Sequence, residues 1–216
     1  MKILRGLVFF LCVVGLAFAT PEEVFQKTKK RAEAGDANAQ ASLGWAYANG
    51  GGVPKDDAEA VKWYRKSAEQ GNARGQYNLG VAYATGQGVP KDDAEAVKWF
   101  RKSAEQGNAH AQFFLGGMYA FGTGVLKDEA EAVKWYRKSA EQGNAHAQYF
   151  LGVMYFIGRG VSKDLVEAHA WWNVAGAKGN EDARKRRNTT EEEMTREQIA
   201  EATKLAKVYF EKFGKK

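Results

Sequence analysis

Glycines at 35, 71, 107, 143 and 179 stand thirty-six residues apart, and most of the chain between them recurs in the same register. The segment Ala-Glu-Ala-Val-Lys-Trp occupies Ala58–Trp63, Ala94–Trp99 and Ala130–Trp135. A fixed period between about 20 and 50 residues marks an array built from one supersecondary unit, in which each copy buries its apolar face against its neighbours. Such proteins work through an extended surface, so the first question is which surface is free.

Each unit divides into two helical segments separated by a glycine-rich turn. In the first copy the helices are predicted over Ala37 to Ala48 and Asp57 to Gln70. Asp56 with Glu59 forms a capping-box pattern, in which the Asp side chain takes a backbone N–H and the Glu reaches back; Asp92 with Glu95, Asp128 with Glu131 and Asp164 with Glu167 repeat it. Gly71 and its equivalents fall just past the second helix, where a left-handed residue closes it. The turns Gly50–Val53, Gly86–Val89, Gly122–Val125 and Gly158–Val161 are not phosphate loops, because they follow helices rather than strands and lack the Lys before Ser or Thr.

On the second helix Ala60, Trp63, Tyr64, Ser67 and Ala68 share one face, with Lys62, Arg65, Lys66 and Glu69 on the other. Burying an indole of roughly 200 Å² at about 25 cal/mol/Å² is worth on the order of 5 kcal/mol. Trp63, Trp99, Trp135 and Trp171 are therefore read as packing anchors.

The markers Ala39, Leu43-Gly44, Tyr47, the Gly-Val turn, the Asp that opens the second helix, Ala60, Trp63, Ala68 and Gly71 together resemble the Sel1-like repeat, a relative of the tetratricopeptide repeat with a longer turn. They recur in phase in four copies, 37–72, 73–108, 109–144 and 145–180, save that Gly75 stands at the Ala39 position and Gly176 at the Ala68 position. The resemblance implies an all-α fold, a right-handed α/α superhelical solenoid, used as an adaptor for proteins or peptides. It also implies an alternative, since some bacterial members are described as binding cell-wall precursors or hydrolysing β-lactams.

The ends fit an array. Residues 20–36 read as a leading second helix that caps the first unit. In 181–216 Ala183 keeps the register, Arg187 and Asn188 replace Leu-Gly, and a further helix opens after Thr195 with Gln198 completing a capping box. Its apolar face (Ile199, Ala202, Leu205, Ala206, Tyr209, Phe210 and Phe213) is expected to seal the helix bearing Trp171-Trp172. The run Arg184–Arg187 is either a solvated face or a contact for an anionic partner.

Residues 1–19 have the composition of a signal peptide: Lys2 and Arg5, an apolar run from Gly6 to Phe18, and small residues Ala17 and Ala19 before the expected cut. The run is shorter than the roughly 20 residues a membrane-spanning helix needs, so no lasting membrane insertion is expected; an uncleaved anchor is the other reading. Cys12, the only cysteine, lies inside this segment behind Phe10-Leu11, where lipid attachment would want a small residue. An exported chain without disulfides is then held by packing alone. Setting Lys2 and Arg5 aside leaves 30 of the 32 basic residues against 26 acidic ones, a net charge near +4 with both signs interspersed. Nucleic acid would call for a clustered basic stripe.

Second helices scarcely change from copy to copy, whereas first-helix positions 38, 41, 45, 48 and 49 diverge while sharing an arc of about 100°. The stripe runs Asn38, Ala41, Trp45, Asn49; Arg74, Tyr77, Val81, Thr85; His110, Phe113, Gly117, Phe121; His146, Tyr149, Val153, Phe156, Ile157. By analogy with tetratricopeptide repeats it lines the concave groove; drift after duplication, or plain packing between helices, is the alternative. The candidate peptide-binding residues are Arg74, Tyr77, His110, Phe113, Phe121, His146, Tyr149 and Phe156, with Tyr77, Phe113, Phe121 and Tyr149 as aromatic anchors. His110 and His146 lie one unit apart, about 10 Å, with no third ligand, so neither a metal nor another cofactor is expected. No nucleophile motif is present, and Ser67, Ser103 and Ser139 repeat one helix-surface position. The expectation is an exported, monomeric binding protein rather than an enzyme.

Overall fold

The computed structural model describes residues 20–213, so the leader assignment at 1–19 lies outside the described residues. It is a right-handed α/α solenoid with no strand among those residues. A leading helix, α1 (Pro21–Glu33), precedes four antiparallel pairs: α2 (Ala37–Asn49) with α3 (Asp57–Glu69), α4 (Ala73–Thr85) with α5 (Asp93–Glu105), α6 (Ala109–Phe121) with α7 (Glu129–Glu141), and α8 (Ala145–Ile157) with α9 (Leu165–Ala177). Two more, α10 (Glu181–Glu191) and α11 (Arg196–Phe213), end the array.

Local chemistry sets each boundary. Asp36 Oδ1 accepts the N–H groups of Asn38 and Ala39 at 2.9 and 3.0 Å, Asn72, Asn108 and Asn144 cap the later first helices in the same way, and Asn180 caps α10. Each first helix ends on a left-handed glycine, as at Gly86 with φ 76°. Only half of the expected capping box forms at the second helices. Asp56 Oδ1 takes the Glu59 N–H at 2.9 Å, but the Asp56 N–H donates to the Tyr47 carbonyl at 2.9 Å, and Glu59 pairs with Lys62 at 2.7 Å instead. The returning chain brings a first-helix carbonyl within reach of that amide, and Asp92, Asp128 and Asp164 repeat the bond to Tyr83, Tyr119 and Tyr155. The complete box forms at the two ends of the array, Thr20 with Glu23 and Thr195 with Gln198.

The pairs pack closely because one partner has no side chain: a Cβ on Gly80 would stand 2.8 Å from the Phe100 ring. Neighbouring pairs meet as tightly at Gly88, whose φ is +73° and whose added Cβ would fall 2.0 Å from the Asp57 carbonyl oxygen at the head of the previous second helix. Buried polar groups stitch the seams. Gln76 donates to the Ala68 carbonyl at 3.2 Å and accepts from Gln106 at 2.7 Å, with Gln40, Gln112 and Gln148 repeating the first contact. Ser67, Ser103 and Ser139 are not surface residues as the sequence suggested. They are fully buried, donating to the Ala37, Ala73 and Ala109 carbonyls at 2.6 to 2.7 Å. Arg65 reaches the Tyr83 hydroxyl of the next unit at 2.7 Å, and Arg101 and Arg137 do the same at Tyr119 and Tyr155.

The outer face explains the end. Lys66, Lys102 and Lys138 lie over the Trp63, Trp99 and Trp135 rings at 4.2, 4.5 and 4.1 Å, so the indoles are shielded by the stems of cations that stay in water. In α9 the positions of Lys62, Lys66 and Glu69 hold Ala170, Val174 and Ala177. Helix α11 covers that face: Ala206 packs on Ala170 and Val174, Tyr209 stacks on Trp171 at 4.4 Å, and its hydroxyl donates to Glu167 at 3.0 Å. Helix α11 thus seals α9 instead of forming a fifth hairpin with α10.

Candidate protein-binding surface

Helices α2, α4, α6 and α8 contain one formally charged residue between them, Arg74. Their inward positions hold the invariant packing residues, with Leu43, Leu79, Leu115 and Leu151 fully buried. The variable columns therefore form the remaining face, and α4, α6 and α8 touch along it through their rings.

Within that face the columns differ in depth. Ala41, counted with the stripe on sequence, is fully enclosed. Its counterparts Tyr77, Phe113 and Tyr149 are half-buried and lean into the seams. Tyr77 lies 6.0 Å from Phe100 and 5.8 Å from His110 of the next unit, and Phe113 lies 5.9 Å from both Tyr136 and His146. These rings are the floor of the face more than free anchors, and burial pushes the Tyr77 hydroxyl above its ordinary pKa. His110 and His146 stand exposed at the rim, each over the aromatic ring of the unit before it.

Phe121 is the most open of the large apolar residues in the stripe at 73% exposure, and Trp45 and Ile157 follow at 54% and 45%. Arg74 is exposed, whereas Phe156 is half-buried between Trp172 at 5.6 Å and the Lys163 ammonium at 5.4 Å. Phe114 and Phe150 were missing from the stripe as read from sequence. Phe114 lies flat on Phe100 (5.3 Å, 10°) and Phe150 on Tyr136 (5.6 Å, 17°), and the two are linked through Phe113 at 5.5 and 5.8 Å. A step of 100° per residue puts this column, which starts at Ser42, about 20° beyond the edge of that arc, so the stripe narrowly left it out.

At the C-terminal end Tyr149, Asp182, Lys185, Arg186 and Thr189 line a shallow, open cleft of about 430 Å³ between α8 and α10. Elsewhere, His169 replaces the valine of the other units: it is buried, with Nε2 2.8 Å from Glu191, and so ties α9 to the end of α10. Sequence comparison of the copies shows the change at 169 but not its partner, which lies outside the repeat register.

A family model described as the Sel1 repeat matches residues 37–72, 73–108, 109–144 and 145–180. Among solved structures, a Sel1 repeat protein from Oxalobacter formigenes is 36% identical over 74% of this chain and 71% of its own, with a TM-score of 0.67. A protective antigen of uropathogenic Escherichia coli with an SLR fold is also 36% identical, over 89% of this chain, with a TM-score of 0.60. The match spans 49% of that antigen, about half its length. An immunity protein from Pseudomonas aeruginosa, 23% identical over 91% of this chain and 74% of its own with a TM-score of 0.52, shares the fold. No curated protein matches the sequence.

Proposed function

Because the chain belongs to the Sel1 repeat family, whose members mediate protein–protein interaction, we propose that it is an exported, monomeric adaptor that holds a peptide or protein segment along its first-helix face without any covalent step. One observation carries the reading: the second helices α3, α5 and α7 repeat nearly unchanged, α9 departing where α11 covers it, while the first helices diverge on one nearly uncharged, ring-lined face. Aromatic side chains at such a surface contribute large contact areas at low entropic cost. Export rests on the composition of residues 1–19.

The test is affinity purification of the C-terminally tagged protein from its native host, beside a Phe114→Ala/Phe121→Ala/Ile157→Ala variant. The parent is expected to retain partners that the variant loses at least tenfold at unchanged helicity, and its N-terminal residue is expected to read Thr20. Equal recovery of partners by both proteins would remove the groove reading, and an intact Met1 would remove cleavage.

A further inference from the structure

Resting on the reading of the first-helix face as a peptide site, we infer that the segment it takes is acidic at one end and apolar along the rest, with its carboxylates over α10. The repeat register supports this. Thirty-six residues beyond Tyr149 and Phe150 stand Lys185 and Arg186, so the column of Tyr77, Phe113 and Tyr149 and the shorter one of Phe114 and Phe150 both end on a cation. The Tyr149 ring and both cations line one cleft, with Thr189 beside them.

The basic run is divided in its use. Arg184 donates to the Gly176 carbonyl at 2.9 Å and to Glu181 at 2.5 Å, and Arg187 donates to Asn173 and Asn188, so these two hold α10 against α9. Lys185 and Arg186 are exposed and form no ion pair among the described residues. Asp182, one turn earlier on the same helix, is the single carboxylate lining the cleft and offsets one of the two charges. No acidic residue occurs in α4, α6 or α8, where Arg74 adds a further cation at the far end. A face with this balance repels basic segments little along its middle but attracts acidic ones at α10. Helices stacked at roughly 10 Å make the path from α4 to α10 about 30 Å, which about nine extended residues span.

A displayed library of random twelve-residue peptides, panned on the purified chain and on a Lys185→Glu/Arg186→Glu variant of equal helicity and melting temperature, tests this. The parent is expected to enrich peptides with Asp or Glu beside a run of aromatic or aliphatic residues. The variant is expected to enrich Lys or Arg at those positions and to bind the parent's best synthetic peptide at least tenfold more weakly. Enrichment of apolar peptides with no acidic bias, or with the same bias on both proteins, would sink the inference and leave the groove reading standing. No enrichment on either protein takes both. Sedimentation that shows the chain pairing with itself through this face, with the peptide competing, would identify a second copy as the occupant and overturn the proposal.

Discussion

The Phe100 ring stands where a side chain on Gly80 would be, and Tyr64, Tyr136 and Trp172 occupy the same place opposite Gly44, Gly116 and Gly152. Each is an aromatic ring meeting bare backbone, so the helices of a pair approach more closely than two side chains would let them. Gly80→Ala places a methyl carbon 2.8 Å from that ring, and in a close-packed seam the ring or the helix must shift. A loss of about 1–3 kcal/mol in urea unfolding is expected, the usual cost of overpacking; an unchanged midpoint would show that the seam is looser than described. At Gly75 an added Cβ would lie 2.4 Å from the Ser67 hydroxyl, yet Ala111 and Ala147 stand opposite Ser103 and Ser139 in the same register, so nothing in the structure explains the glycine of the second unit.

At the scale of elements, α9 and α11 are matched to each other by composition. The exchange of Lys62 and Lys66 for Ala170 and Val174 changes a solvated face into a buried one, and α11 supplies the cover. Val174→Lys restores the array's own residue at that point and removes a buried side chain worth about 2 kcal/mol, besides forcing an ammonium under α11. Hydrogen exchange is expected to quicken throughout Arg196–Phe213 while α2 to α7 keep their protection. Uniform protection after this change would mean that α11 is held by something other than the α9 face. That α11 has an apolar face was legible in its i, i+3, i+4 pattern, but that it turns back over α9 was not, because periodicity shows which residues share a side of a helix and nothing about which neighbour comes to cover it.

For the whole molecule, stability is a sum over repeated seams, and a perturbation that acts on every seam reads out the sum. Alkali is such a perturbation. Burial pushes the Tyr64 hydroxyl up to about 12 and raises Tyr77, Tyr136 and Tyr155 as well, while Tyr209 is raised by burial and then by Glu167. In the unfolded chain these groups ionise near 10, so above that pH the unfolded state binds fewer protons and gains on the folded one. The stabilisation is complete below about pH 10 and is lost as pH rises through the folded values. The urea midpoint is expected to hold steady from pH 7 to 9 and to fall steeply by pH 11.5, with tyrosinate absorbance rising in step with unfolding. Tyrosinate absorbance that rises near pH 10 while the helices persist would mean that these hydroxyls are open to water.

The amino-acid sequence alone settled the period, the helix pairs, the glycine and Asp boundaries and the role of Trp63 and its equivalents, because each depends on chemistry within a few residues or on an exact internal repeat. It also marked the first-helix face by its variability. Only the packed structure showed that Tyr77, Phe113 and Tyr149 lean into the seams while Phe114 and Phe121 stay open, that Ser67 and its copies are interior, and that Lys185 and Arg186 close the aromatic columns beside Tyr149. The direction of a side chain about its own helix follows from 3.6 residues per turn, but its depth depends on how near the next helix comes.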